Sequence, residues 1–221
     1  MTPSITKSAF LVVLEVLATF ARANIPGHDP TRIQVLLLTG YNSTPMHHWR
    51  INDPVLREML EATGKSKVRI DEEPRGITQE TFSGYDVLLL DYSDYTRSLG
   101  PTWPETSRQA YLDFLKSGGG VVAFHVTIGS FPEWPEFAET MGIKEREHLG
   151  HAPCHTFTVE VADSLNPITQ DLPLQFEEWG EVYNGFSVAP DAHTLATAFD
   201  DPKNCSPECR NCGSGKTESI L

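Results

Sequence analysis

Ile33-Gln-Val-Leu-Leu-Leu-Thr39-Gly40 is an almost unbroken apolar run that stops at a hydroxyl and a glycine. A strand with one wet face alternates apolar and polar residues, whereas a run without alternation suits a strand covered on both faces. Two further stretches repeat the pattern, Tyr85-Asp-Val-Leu-Leu-Leu-Asp91-Tyr92 and Gly120-Val-Val-Ala-Phe-His125, and each turns polar at its carboxyl end. Segments of helical spacing lie between them. Asp53-Pro54 reads as a helix start, with Val55, Leu56, Met59 and Leu60 as the apolar stripe and Gly64 as the stop. Pro104 opens a second helix whose inner face is Ala110, Tyr111, Phe114 and Leu115, and Ser117-Gly-Gly-Gly120 ends it. Lys67–Asp71 adds a short strand. This alternation with short connections implies right-handed crossovers, and so an α/β domain with a doubly wound parallel sheet.

From about Met141 the texture changes. His155 to Ala162 alternates, Gln175–Tyr183 and His193–Phe199 read as further strands, and no good helix separates them. A β-rich C-terminal extension is expected. Thr217-Glu-Ser-Ile-Leu221 reads as the opening of one more strand with nothing following to pair it, so the domain is expected to be truncated at its C-terminus.

Composition narrows the function classes. The 221 residues are 39% hydrophobic and 10% aromatic, enough for a real core. Thirty acidic residues against 17 basic give a net charge of -13, which argues against a nucleic-acid partner and against docking on anionic lipid. At the N-terminus Lys7 precedes an apolar run from Ala9 to Phe20, followed by Ala21-Arg22-Ala23. Residues 1–23 read as an export signal, leaving a mature domain of residues 24–221 in the periplasm or outside the cell. The run is too short to span a bilayer as a mature helix. Glu15 within it fits the other reading, a cytosolic N-terminal helix. Cys205, Cys209 and Cys212 crowd one Pro/Gly-rich loop, where one pair could close a disulfide, and Cys154 stands apart. The composition is also compatible with a homo-oligomer.

Open parallel sheets bind ligands beyond the carboxyl ends of their strands. That rule selects Gly40–Arg50, Asp91–Arg97 and His125–Phe131, and within them Gly40, Asn42, His47, His48, Trp49, Asp91, Tyr92 and His125. His125 sits where a strand gives way to a turn, the corner that holds Ser or Cys in enzymes with a nucleophile elbow. An imidazole there serves as acid, base or ligand near neutral pH. A second cluster, His148-Leu-Gly-His151-Ala-Pro-Cys154-His155, offers His151 and His155 as ligands for a divalent metal such as zinc. Glu177-Glu178-Trp179-Gly180-Glu181-Val182-Tyr183 sets carboxylates beside aromatics, the residue types that hold sugar hydroxyls and stack on sugar rings. Glu177 and Glu178 also fit a solvated edge strand. Gly213-Ser-Gly215-Lys216-Thr217 is not a phosphate loop, because Arg210 stands where that motif needs glycine.

These residues together resemble the ThuA-like, or trehalose-utilisation, family. The resemblance is carried by Thr39-Gly40, His47-His48-Trp49-Arg50, Tyr85-Asp-Val-Leu-Leu, Gly118-Gly-Gly-Val-Val-Ala-Phe-His125 and Phe131-Pro-Glu-Trp134-Pro-Glu, then His151-Ala-Pro-Cys-His155-Thr-Phe-Thr-Val, Asn166-Pro-Ile-Thr and Glu181-Val-Tyr183. It implies a flavodoxin-like sheet related to class I glutamine amidotransferases, with His125 in place of their cysteine. Glutamine hydrolysis by thiolate attack is then not available. It further implies a carbohydrate as the small-molecule partner. The expected roles are His125 and Glu181 as acid–base catalysts, Gly40, His47, Trp49, Tyr92 and Tyr183 around the substrate, and metal, if any, on His151 and His155. The competing reading is a carbohydrate-binding module without catalysis.

Overall fold

The computed structural model describes residues 29–41, 47–93, 103–207 and 211–220, with backbone alone at 147–148. The export signal expected at 1–23 lies outside them, as do the loop residues 42–46 and Cys209. Two compact units divide the chain, Met1–Pro132 and Glu133–Leu221.

The first unit contains four parallel strands: β1 (Ile33–Leu38), β2 (Ser66–Asp71), β3 (Val87–Leu90) and β4 (Gly120–Ala123), in the order β2-β1-β3-β4. Leu38 pairs with Asp71 on one side and Leu90 on the other, and Leu90 pairs with Ala123. The apolar runs are long because both faces are covered. Val35, Leu37, Val68 and Leu89 form one core, packed against Leu56 and Leu60 of helix α1 (Trp49–Ala62). Leu36, Leu38, Leu88 and Leu90 are fully buried on the opposite face. A short helix α2 (Gln79–Phe82) precedes β3, and α3 (Glu105–Lys116) precedes β4, burying Ala110, Tyr111 and Phe114.

Three sequence expectations need correction. Helix α1 begins at Trp49, one turn earlier than the Asp53-Pro54 signal, so Pro54 lies inside it. Its inward stripe is Trp49 and Asp53, both buried, with half-buried Leu56 and Leu60, while Val55 and Met59 face solvent. The proline signal hid this because one turn of helix can precede it at the cost of a single backbone bond. Strand β4 is an edge strand with Val122 exposed, where burial on both faces was expected.

The second unit opens with a short helix, α4 (Pro135–Thr140), and is otherwise antiparallel. Strand β5 (Ile143–His151) pairs with β8 (Tyr183–Val188). A four-stranded sheet runs β10 (Thr217–Ser219), β9 (Ala196–Phe199), β6 (His155–Val161), β7 (Gln175–Gly180). The span Gln175–Tyr183 is thus two strands in different sheets, broken at Glu181-Val182. The last strand does find a partner, since Thr217, Glu218 and Ser219 pair with Phe199, Ala198 and Thr197. Exposed Glu177 and Glu178 lie on the edge strand β7, as the solvated reading required. Among the described residues no helix is long and apolar enough to cross a membrane.

Gly40 shows how tightly the strand ends are set. It has φ +101°, and a Cβ there would fall 1.9 Å from the Glu72 carbonyl oxygen. Gly40→Ala is expected to cost about 2–4 kcal/mol, from the disfavoured backbone angle and the displaced loop. Urea denaturation measures this, and a loss below about 0.5 kcal/mol, the range of a neutral surface change, would contradict it.

Candidate functional site

The parallel register brings four strand ends into one row. Thr39 N–H donates to Asp71 O, Asp91 N–H to Leu38 O, and Phe124 N–H to Leu90 O. Thr39, Asp91 and His125 therefore leave the sheet side by side, and α1 reaches over them. The connection after β4 is pinned by hydroxyls. Thr127 Oγ1 donates to Leu90 O at 2.8 Å and accepts from the Tyr92 N–H at 3.2 Å, while Ser130 Oγ donates to Tyr92 O at 2.9 Å.

His125 begins the 3-10 turn His125–Gly129 with φ +49°, in the left-handed region that non-glycine residues rarely occupy. The corner expected from sequence is thus strained. It turns the imidazole toward His47, with the two Nε2 atoms 3.0 Å apart and the rings edge to face at 4.8 Å. One ring nitrogen donates and the other accepts. Trp49, two residues beyond His47, is buried, and the Arg50 guanidinium lies 3.9 Å over its ring. Tyr92 is buried among Tyr41, Trp103 and Phe131, stacked on the last at 5.4 Å. Its contacts and those of Gly40 give both residues a part in shaping the strand ends.

Near the imidazoles lies a buried pair of which the sequence marked only Asp91, as a polar strand-end residue, and not Asp53. Asp53 and Asp91 are 1% and 3% exposed, and the Thr39 hydroxyl beside them is fully buried. The two carboxyl groups meet within hydrogen-bonding reach. Yet both Asp53 oxygens, Oδ2 of Asp91 and the Thr39 hydroxyl have no conventional donor or acceptor placed on them. Burial pushes the Asp53 carboxyl up to about 7; the Thr39 hydroxyl, the next influence, lowers it, and the contact and charge of Asp91 and then the Glu72 charge raise it. Burial also raises Asp91, while Asp53 and the charges of His125 and His47 pull it the other way. Asp53 was read as part of a helix-start signal. A buried acid on the stripe Trp49, Asp53, Leu56, Leu60 is detectable only once the helix start is placed correctly.

The second unit holds its own polar cluster. His151 Nδ1 lies 3.4 Å from Glu181 Oε1, and the His151 and Tyr183 rings are 4.9 Å apart. Cys154 Sγ reaches the same Glu181 oxygen at 3.6 Å. The loop expected around His151 is instead the end of β5, and the His148 side chain is outside the description. His155 is turned away to the Pro153 carbonyl, 2.8 Å from its Nδ1, and packs on Phe157. Zinc sites use three or four converging ligands, and no such group of His, Cys, Asp or Glu occurs among the described residues. An open polar groove of about 500 Å³ runs along β8, lined by Glu145, Asn184, Ser187, Ser214, Lys216 and Glu218 among others. Cys205 and Cys212 form a disulfide with Cα atoms 5.8 Å apart.

This parallel sheet of order 2-1-3-4, with a strained corner at the end of its fourth strand and antiparallel sheets after it, defines a flavodoxin-like α/β protein. Residues 34–217 match the family described as "ThuA: Trehalose utilisation", and the chain belongs to that family. A ThuA-like protein from Parabacteroides merdae is 26% identical with a TM-score of 0.69, covering 86% of this chain and 74% of its own. A second, from Bacteroides uniformis, is 20% identical with a TM-score of 0.63, covering 82% and 74%. The second likeness speaks for the fold alone. No curated protein matches the chain.

Cys154 yields a direct test of the second cluster. It is exposed, yet burial of the sulfur, followed by the Glu181 charge and hydrogen bond, raises its thiol above the ordinary value. Because the thiolate is the nucleophile, alkylation of Cys154 by iodoacetamide at pH 8 should be slower than that of a free cysteine. Glu181→Gln should speed it severalfold, as read by mass spectrometry of the Cys154 peptide. Equal rates in the two proteins would remove the proposed contact.

Proposed function

We propose that this protein is an exported enzyme acting on a sugar or keto-sugar, with His125 as general acid/base. The observation that carries the reading is the strained His125 corner, its Nε2 3.0 Å from that of His47 at the carboxyl edge of the sheet. A keto group acidifies the neighbouring C–H, so a positioned imidazole can move a proton there and drive isomerisation, elimination or hydrolysis. Family membership supports the substrate class. Glu181, held with His151 and Tyr183, is assigned as the second carboxylate, and His47, Trp49, Gly40, Tyr92 and Tyr183 as shaping the substrate site. A divalent metal would polarise the carbonyl, and His151 and His155 are the residues assigned to it from sequence. The structure gives that assignment little support, because the two rings are engaged by different groups. The Cys205–Cys212 disulfide supports an oxidising compartment, periplasmic or extracellular.

A second reading, a carbohydrate-binding module, is favoured by Trp179. Its side chain is 67% exposed on the edge strand β7 beside Glu177 and Glu178, a flat face with acceptors nearby. Product-resolved NMR with trehalose, other glucosides and their 3-keto forms separates the two. Turnover by the folded chain that falls at least 100-fold in His125→Ala is expected. Sugar binding without turnover, lost in Trp179→Ala, would replace the enzyme by the binding module.

A further inference from the structure

We propose that Asp53 and Asp91 hold one proton between them at neutral pH, and that the single negative charge left on Asp91 positions the protons of the His47–His125 imidazole pair. The relevance of the pair to catalysis rests on the reading of His125 given above; the shared proton itself does not.

Geometry carries the argument. Two carboxylates that meet side by side are acceptor against acceptor, and here three of their four oxygens lack a well-formed hydrogen bond, with the Thr39 hydroxyl the one neighbouring donor. Both groups are buried to within a few per cent, so bulk water does not reach them. A proton on one of them turns the contact into an O–H···O⁻ bond, which is short and strong. The surroundings decide which group holds it. Asp53 faces Thr39 at the end of β1, Asp91 at the end of β3 and the acidic Glu72 just past β2. Asp91 faces Asp53 from α1, His125 from the end of β4 and His47 from the segment before α1. The acid side is therefore Asp53, among carboxylates, and the ionised side is Asp91, toward the imidazoles. Asp91 is then a positioning residue. A fixed negative charge favours the imidazole tautomers that turn an N–H toward it, and so settles which Nε2 donates in the His47–His125 contact.

The test is NMR of the full chain carrying ¹³C-carboxyl aspartate, followed from pH 4 to pH 9. The Asp53 carbon, identified by its loss in Asp53→Asn, should keep a protonated shift at pH 6, where ordinary aspartates are ionised. In Asp91→Asn its midpoint should fall by a unit or more, since the like charge has gone. Ring ¹⁵N shifts of His47 and His125 should keep the wild-type tautomer pattern in Asp53→Asn, which preserves the donor and the Asp91 charge. They should change in Asp91→Asn. Stability offers a second arm that needs no assignment. A carboxyl raised from 3.8 to about 7 on folding binds more protons in the native state, so its contribution to stability is present at low pH and is lost as pH rises through 7. Asp53→Asn should therefore raise the unfolding midpoint at pH 8 but not at pH 4. If every aspartate carbon of the wild-type chain is ionised by pH 5.5, the shared proton is refuted, whether or not the variants fold. If Asp91→Asn leaves the ring nitrogens unchanged, the positioning role is refuted. Selective broadening of the two carbons by Mn²⁺, with both ionised, would replace the proton by a cation.

Discussion

The parallel register of β1, β3 and β4 is the constraint on which the rest of the first unit depends. Leu38, Leu90 and Ala123 pair in one row, so the residues that follow them leave the sheet together. Shifting any strand by one residue would turn its apolar set inside out, and with both faces of β1 and β3 buried that slip is heavily opposed. The same hydrophobic burial that stabilises the sheet thereby fixes where Thr39, Asp91 and His125 stand. Strand ends are the one place in such a sheet where backbone pairing stops and polar side chains are tolerated. The site is a consequence of how the core runs out.

Much of this was legible in the sequence, for a physical reason. Apolar runs such as Val35–Leu38 and Leu88–Leu90 have no use outside a doubly covered strand, and His125 at the end of such a run marks a strand-to-turn corner. What misled was punctuation. Pro54 looks like a first-turn residue, yet α1 starts at Trp49, and that error hid Asp53 on the buried face. Glu181-Val182 breaks Gln175–Tyr183 into strands of different sheets, and no turn residue at that pair marks the break. The His151 cluster was judged by composition, whereas coordination depends on where rings point. His151 turns its Nδ1 to the Ala152 carbonyl at 2.9 Å, with Glu181 beside it, and His155 turns to the Pro153 carbonyl. Spacing along a strand said nothing about either.

Two buried carboxyl groups in contact are costly, and nothing in the packing of the sheet requires them. Apolar residues of similar size at Asp53 and Asp91 would remove two polar burials and a like-charge contact together. Thr39 adds a third buried polar group to the same spot. Strained or unfavourable groups of this kind gather where chemistry is done, because a fold keeps them only when the surroundings over-determine their positions. His125 at φ +49° is a second cost in the same place. That the two coincide at the carboxyl edge, where open parallel sheets bind ligands, gives the site its functional meaning.

The charge pattern also explains why the corner holds histidine and not cysteine. A nucleophilic thiol needs a positive setting, such as a neighbouring imidazolium, ammonium or helix N-terminus, because only the thiolate attacks. At this corner the nearby buried group is a carboxyl pair, and Asp91 interacts favourably with positive charge on His125 and His47. A thiolate placed at position 125 would face that carboxylate as a like charge. An imidazole placed there gains from it, since the charge that would oppose a nucleophile supports a group that takes and gives protons. The electrostatic setting of position 125 is therefore spread over β1, β3, β4 and α1. Placing a cysteine at position 125 would leave Asp53 and Asp91 in place, and with them an electrostatic field suited to proton transfer and opposed to thiolate chemistry.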